Sequence, residues 1–264
     1  MKRNMEKQSE KSPRAKAGAS AARISSESPR NKQLQGTRHL WGSKEMGGAL
    51  FWRDRNEAGE QLAIFLESEM NAGRLPAPQP RQNGVILGIP RGAVPIARKV
   101  AERLGVDWDV LIAHKVASPS WPEYAIGAVT ASGLRVGFSS NKIEKNKVPE
   151  IAIASEIRRL QKRREHYQQL RPSRSLQGKW VCLVDDGIAT GWTSLAALRE
   201  AKRRGATSLI LAVPVIAPTA SLRLAPEVDH LLALSEPEDF SSVGQFYQDF
   251  SPVTDDEVDR LLVS

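Results

Sequence analysis

Val181-Cys182-Leu183-Val184-Asp185-Asp186-Gly187-Ile188-Ala189-Thr190-Gly191-Trp192-Thr193 is the stretch on which the fold of this 264-residue chain turns. Four apolar residues predict a strand buried on both faces. Two carboxylates follow where that strand leaves the sheet, and a turn of small residues then opens a helix. In open α/β sheets ligands collect at the carboxyl ends of strands. Backbone N–H groups at a helix start, made accessible by Gly187, Ala189 and Gly191, form a cradle for phosphate, to which Thr190 and Thr193 add hydroxyl donors. A carboxylate pair beside such a cradle would repel an anion unless it had another task. Accepting hydrogen bonds from two sugar hydroxyls is one such task, and helping to hold a hydrated Mg²⁺ is another.

Outward from this stretch, apolar runs alternate with helical patterns. Downstream, Thr193–Arg204 reads as a helix, Ser208–Val215 as a strand, Pro218–Leu224 as a short helix and Asp229–Ser235 as a last strand. Upstream, Asp54 caps a helix running to about Ala72, and a Pro-rich linker ends it. Val85–Ile89 reads as a strand, Gly92–Leu104 as a helix and Asp109–Val116 as a second strand. Ala125–Val136 reads as a β excursion turning at Ser132-Gly133. A polar stretch follows, and then a long charged helix from Pro149 to about Leu170. Strands separated by helices predict an α/β fold with a doubly wound, mostly parallel sheet.

Charge is unevenly distributed. Residues 1–45 hold 11 Lys and Arg against 4 Glu, whereas the rest holds 27 basic and 26 acidic residues. The overall excess of +8 therefore belongs mainly to a tail with few large apolar residues, which is expected to be disordered and to bury almost nothing. Its removal is then expected to leave the melting temperature unchanged. Contact with nucleic acid is expected, if at all, only through this basic tail. The domain itself is expected to span residues 46–264. One cysteine, Cys182, excludes an intramolecular disulfide and a thiolate zinc cluster. No apolar run reaches the roughly 20 residues that span a bilayer, and the basic N-terminus is followed by no apolar stretch, so a cytoplasmic location without membrane contact is expected.

An acidic pair after a strand also suits a P-loop nucleoside triphosphatase or a dinucleotide-binding domain. Neither G-x-x-x-x-G-K-[ST] nor a G-x-G-x-x-G after a strand occurs here. A second strand end, Gly88-Ile89-Pro90-Arg91-Gly92-Ala93, runs into a glycine-flanked turn with an Arg. Arg91 can fork onto phosphate oxygens, and Gly92 allows close backbone approach. By itself Pro90-Arg91-Gly92 is also an ordinary turn. Lys115 closes the expected strand Asp109–Val116, and a solvated strand end explains it equally well.

The thirteen-residue stretch resembles the signature that binds 5-phosphoribosyl-1-pyrophosphate (PRPP) in type I phosphoribosyltransferases. The resemblance implies that Asp185 and Asp186 hold the ribose hydroxyls, and that Gly187, Ala189, Thr190, Gly191, Trp192 and Thr193 hold the 5′-phosphate. Trp192 occupies a variable position of the signature. The resemblance also places the pyrophosphate loop at Pro90, Arg91 and Gly92, with Lys115 a second cation for the leaving group. The match runs from about Phe51 to Leu262. Its irregular segments around Ser118–Tyr124 and Asp239–Phe250 resemble a subgroup of stand-alone phosphoribosyltransferases with no established acceptor. In that fold the C-terminal segment, here about residues 236–264, forms a hood. Phe240, Phe246, Tyr247 and Phe250 then either stack on an acceptor base or anchor the segment to the core. Ser139–Val148, with Lys142, Lys145 and Lys147, falls where the family has a mobile loop. The resemblance implies a Mg²⁺- and PRPP-dependent transferase of nucleotide metabolism acting on a nitrogen acceptor. A PRPP-sensing, nucleic-acid-binding regulator on the same fold is the alternative. The basic face of the long helix, Arg158, Arg159, Lys162, Arg163 and Arg164, is either solvated or pairs with acid across a homodimer.

Overall fold

The computed structural model describes residues 51–75, 83–118, 125–138 and 148–264, together with the backbone of residues 38–41. Six parallel strands form the main sheet: β1 (Arg38–Trp41), β2 (Gly84–Gly88), β3 (Asp107–Val110), β7 (Trp180–Val184), β8 (Ser208–Val215) and β9 (His230–Ser235), in the order β1-β9-β8-β7-β2-β3. A separate antiparallel sheet joins β4 (Ala113–Ala117), β5 (Ala125–Thr130) and β6 (Arg135–Gly137). The helices are α1 (Arg55–Asn71), α2 (Ala93–Leu104), α3 (Glu150–Leu170), α4 (Trp192–Arg203), α5 (Pro218–Leu224) and α6 (Asp255–Val263).

Alternation along the strands divides the core into two layers. Ile86, Cys182, Val184, Ile210, Ala212 and Leu232 join one apolar cluster with residues of α1, α2, α3 and α6. Their neighbours Val85, Leu87, Val181, Leu183, Leu209, Leu211 and Leu231 join a second with residues of α4 and α5. Successive side chains point to opposite faces, and here both faces are covered, so the strands read as unbroken apolar runs rather than alternating ones. The fold is therefore the doubly wound α/β sheet that the sequence pattern predicts.

Taken without β1, the parallel strands follow the 2-1-3-4-5 order, whose topological switch point lies between the first and third strands. Those are β2 and β7, paired in register from Gly84 with Trp180 to Gly88 with Val184. The loops leaving their carboxyl ends, Ile89–Gly92 and Asp185–Gly191, are neighbours although nearly a hundred residues separate them in sequence.

The expected strand Asp109–Val116 is in fact two. The Leu111 amide still bonds the Gly88 carbonyl at 3.0 Å, but the Ile112 carbonyl accepts from Ala131 at 3.1 Å, so the chain leaves the parallel sheet at this point. Lys115 consequently sits within β4 opposite Ala128, exposed, and not at a carboxyl end of the main sheet. The lysines of the polar stretch 139–147 lie outside the described residues. So does most of the tail, but Arg38–Trp41 is a strand pairing with β9 from His230 to Ala233. These four residues are the only part of the expected tail among the described residues. Deleting residues 1–45 is expected to lower Tm by a few degrees, since a loss of about 1 kcal/mol moves a domain of this size by about 2–4 °C. Differential scanning calorimetry checks this, and an unchanged Tm would mean that the β1–β9 pairing contributes nothing.

Candidate active site

The two loops at the switch point are in direct contact. A Cβ placed on Gly92 would lie 2.0 Å from Asp186 Oδ2, so any side chain here would have to displace that carboxylate. The Pro90–Arg91 peptide is cis. Among the described residues, the amides of Arg91 and Gly92 have no backbone acceptor. Arg91 reaches Asp255 at the start of α6 at 3.4 Å, and Arg163 of α3 lies 3.7 Å from the same carboxylate. Both partners of the Arg91 pair are substantially exposed, and such pairs contribute little. A phosphate could displace this contact readily.

Ile188 anchors the turn after β7 through its backbone. Ile188 exchanges backbone bonds with Val215 and Ala217 at 2.9 and 2.8 Å. Ala189 and Thr190 are exposed beyond it, and Gly191 takes the left-handed conformation (φ 76°) that starts α4. The amides of Trp192, Thr193 and Ser194 in the first turn of α4 have no intrahelical acceptor, as at any helix start. Arg223 of α5 braces this turn: its guanidinium lies 4.4 Å above the Trp192 ring and also donates to the Thr190 carbonyl. The bulky side chain at the variable position is thus part of the loop's support.

Asp185 and Asp186 are half-buried and adjacent. Burial pushes the Asp185 carboxyl well above its ordinary value of 3.8, the neighbouring Asp186 adds to the rise, and the Asp186 amide, bonded to Asp185 Oδ1 at 3.0 Å, opposes it. Burial also raises Asp186, against the pull of Arg55, whose Nε donates to Asp186 Oδ2 at 2.8 Å. Arg55 is the first residue of α1, and the same guanidinium donates to the Ser251 carbonyl at 2.8 Å and lies 3.9 Å above the Phe250 ring. The sequence offered no sign of Arg55, because only the fold brings α1 to this strand end.

The C-terminal segment crosses over the acidic pair. Trp52 and Arg53 bond to Phe246, Gln248 and Asp249 in a strand-like exchange at 2.8 Å. The Tyr247 hydroxyl donates to the Asp186 carbonyl at 2.6 Å, and Tyr247 packs between Trp52 and Phe250. Phe246 is only 1% exposed and contacts Phe51 and Phe240. Of the four aromatics, Phe246 and Tyr247 are thus anchors in this structure, and Phe240 and Phe250 keep partial exposure.

A raised carboxyl pKa has a definite consequence for stability. Below about 3.8 both the folded and the unfolded chain hold the Asp185 proton, and its stabilising contribution is fully present. As pH rises through the folded-state value that contribution is lost, because the buried carboxylate must ionise. Asparagine imitates the protonated form at every pH. Asp185→Asn is therefore expected to raise the Tm of the ligand-free chain, with a margin over wild type that grows from acid to neutral pH. Melting curves across that range check this; a margin that shrinks toward neutral pH would contradict the assignment.

A parallel sheet of this order, with an acidic pair and an amide-rich helix start at its switch point, defines a class of α/β proteins suited to phosphorylated sugars and nucleotides. The phosphoribosyl transferase domain model matches residues 54–245. The chain is 36% identical over 213 residues to phosphoribosyl transferase Rv0571c of Mycobacterium tuberculosis H37Rv, and equally to MT0597 of strain CDC 1551, both under provisional names. Each match covers 79% of this chain and 46% of the relative, so the chain spans about half the length of these curated relatives. The crystal structure of TT1426 from Thermus thermophilus is similar at 38% identity and a TM-score of 0.63, covering 81% of this chain and 98% of that one. The chain belongs to the type I phosphoribosyltransferase family. Among the described residues no helix is long and apolar enough to cross a membrane.

Proposed function

We propose that the chain is a Mg²⁺- and PRPP-dependent phosphoribosyltransferase that transfers the 5-phosphoribosyl group to a nitrogen acceptor such as a nucleobase or a similar heterocycle. The observation that carries this reading is the contact of Gly92 with Asp186, which joins the two loops into one surface at the switch point. PRPP needs three things at once: acceptors for its ribose hydroxyls, a cradle for its 5′-phosphate, and cations with amides for its pyrophosphate.

In this reading Asp185 and Asp186 accept from the 2′- and 3′-hydroxyls. Arg55 uses only one lone-pair direction of Asp186, and a carboxylate has about four. The amides from Ala189 into the first turn of α4, with the Thr190 and Thr193 hydroxyls, take the 5′-phosphate. Arg91 and the amides of Arg91 and Gly92 take the pyrophosphate, with Lys115 approaching from the antiparallel sheet. The two carboxylates are hard oxygen donors suited to Mg²⁺, which keeps most of its water and needs only one or two of them. Bound with the substrate, Mg²⁺ would supply positive charge to offset that on the leaving pyrophosphate. The anomeric C–O bond breaks with its electron pair leaving on pyrophosphate. The acceptor nitrogen supplies the new pair and then loses its proton to solvent. Positioning and charge stabilisation are the protein's main contributions. The partly exposed Phe240 offers an acceptor ring a surface to stack on, backed by Phe246, with Tyr247 behind them.

The test is PRPP-dependent pyrophosphate release with purine, pyrimidine and other nitrogen heterocycles. Arg91→Ala is expected to lower kcat at least tenfold, about 1.4 kcal/mol, while weakening PRPP binding less, because the charge on pyrophosphate grows in the transition state. Lys115→Ala is expected to act in the same direction. Tight PRPP binding with no release for any acceptor would instead support a PRPP sensor.

A further inference from the structure

We propose that Arg163 of α3 is a second arginine of the pyrophosphate subsite, and that the Asp255 carboxylate stands in for a phosphate there in the ligand-free chain. This role rests on the PRPP reading above and brings to the subsite a cation from outside both loops at the switch point. Two arginines from distant segments converge here on one oxyanion. Arg91 reaches Asp255 Oδ2 at 3.4 Å, and Arg163 lies 3.7 Å from Oδ1 of the same carboxylate. Among the described residues neither arginine has another carboxylate within ion-pair distance. Two like charges are thus held together across a single negative one.

The stretch 251–255 is tied to the switch point at both ends. The Ser251 carbonyl accepts from Arg55 at 2.8 Å, and Arg55 in turn holds Asp186. Asp255 holds Arg91, whose neighbour Gly92 abuts Asp186. Val258 and Leu262 of α6 are buried in the same apolar cluster as Leu160 and Tyr167 of α3. One turn after Asp255, Asp259 meets His166 of α3 at 2.8 Å. These contacts keep α6 on α3, while the Asp255 side chain, 54% exposed, can turn aside into solvent. Burial pushes the Tyr167 phenol up to about 12, and the charges of Arg163, Asp255, Asp259 and Arg91 all act on it, which sets these side chains in one neighbourhood.

Both arginine contacts exceed the about 2.7–2.9 Å of a close charge-assisted bond, so one carboxylate is too small to seat both guanidinium groups. A diphosphate carries more charge, and its oxygens are spread over two phosphorus atoms. It can meet a guanidinium fork at each of them. Arg163 donates no hydrogen bond among the described residues, which leaves its donors to a ligand. Ribose 5-phosphate has no diphosphate, so Arg163 should distinguish it from PRPP.

Calorimetric titration of the full-length chain in the presence of Mg²⁺ tests this with PRPP, ribose 5-phosphate and inorganic pyrophosphate as probes. Arg163→Gln is expected to weaken PRPP and pyrophosphate at least tenfold and to leave ribose 5-phosphate within twofold. Arg158→Gln removes the same charge from an exposed position of α3 and is expected to change none of them. Asp255→Asn keeps the side chain's shape, drops the competing charge, and is expected to tighten pyrophosphate several-fold. A merely structural support would weaken every ligand alike and could not produce this split. Wild-type PRPP affinity in Arg163→Gln, or equal weakening of PRPP and ribose 5-phosphate, would overturn the proposal. So would pyrophosphate binding that Asp255→Asn leaves unmoved or weakens. A wild-type chain that binds neither PRPP nor ribose 5-phosphate would instead remove the PRPP reading, and this role with it.

Discussion

Arg55→Ala is expected to destabilise the chain by about 3–5 kcal/mol, the usual cost of removing one partner of a buried ion pair. Its side chain is 11% exposed and that of Asp186 15%, so alanine would leave a carboxylate poorly solvated beside the already crowded Asp185. The Ser251 carbonyl and the Phe250 ring would lose their cation together with it. For a domain of this size the change corresponds to a fall in Tm on the order of 10 °C. Adding Asp186→Asn to Arg55→Ala removes the stranded charge and is expected to recover part of the loss, a coupling that a double-mutant cycle reads directly. A Tm within a degree of wild type for Arg55→Ala would show that the pair is not formed in solution.

The second large effect concerns affinity. Asp185→Asn combined with Asp186→Asn is expected to weaken PRPP binding at least a hundredfold. Each charge-assisted hydrogen bond to a ribose hydroxyl is worth about 1.5–3 kcal/mol, and asparagine keeps the shape while losing the charge. The fold should survive, because the Asp185 change removes a buried carboxylate even as the Asp186 change loosens Arg55. Circular dichroism alongside calorimetry separates lost binding from lost structure. Affinity within threefold of wild type would remove the proposed role of the acidic pair.

The parallel core was legible in the sequence because each strand is buried on both faces and therefore reads as an apolar run. Trp180–Val184 and Ser208–Val215 show this to the residue. The carboxylates and the glycine turn were legible for the same reason, since a strand end and a helix start fix their surroundings locally. Contacts between distant segments were not. Nothing in Arg55 or Tyr247 announces that the fold sets both on Asp186. The break at Leu111-Ile112 was hidden because both residues are apolar and suit either sheet, and the mistaken single strand carried Lys115 to the wrong place. Helix α6 was also missed, although Thr254 and Glu257 form a capping box that marks its start.

The central claim is that PRPP binds at the β2–β7 switch point, and titration of the full-length chain with PRPP in the presence of Mg²⁺ tests it most directly. The account predicts one site per chain, competition by ribose 5-phosphate, and the hundredfold loss in the double asparagine variant. No detectable binding to the folded wild-type chain, or binding indifferent to Asp185 and Asp186, would contradict it.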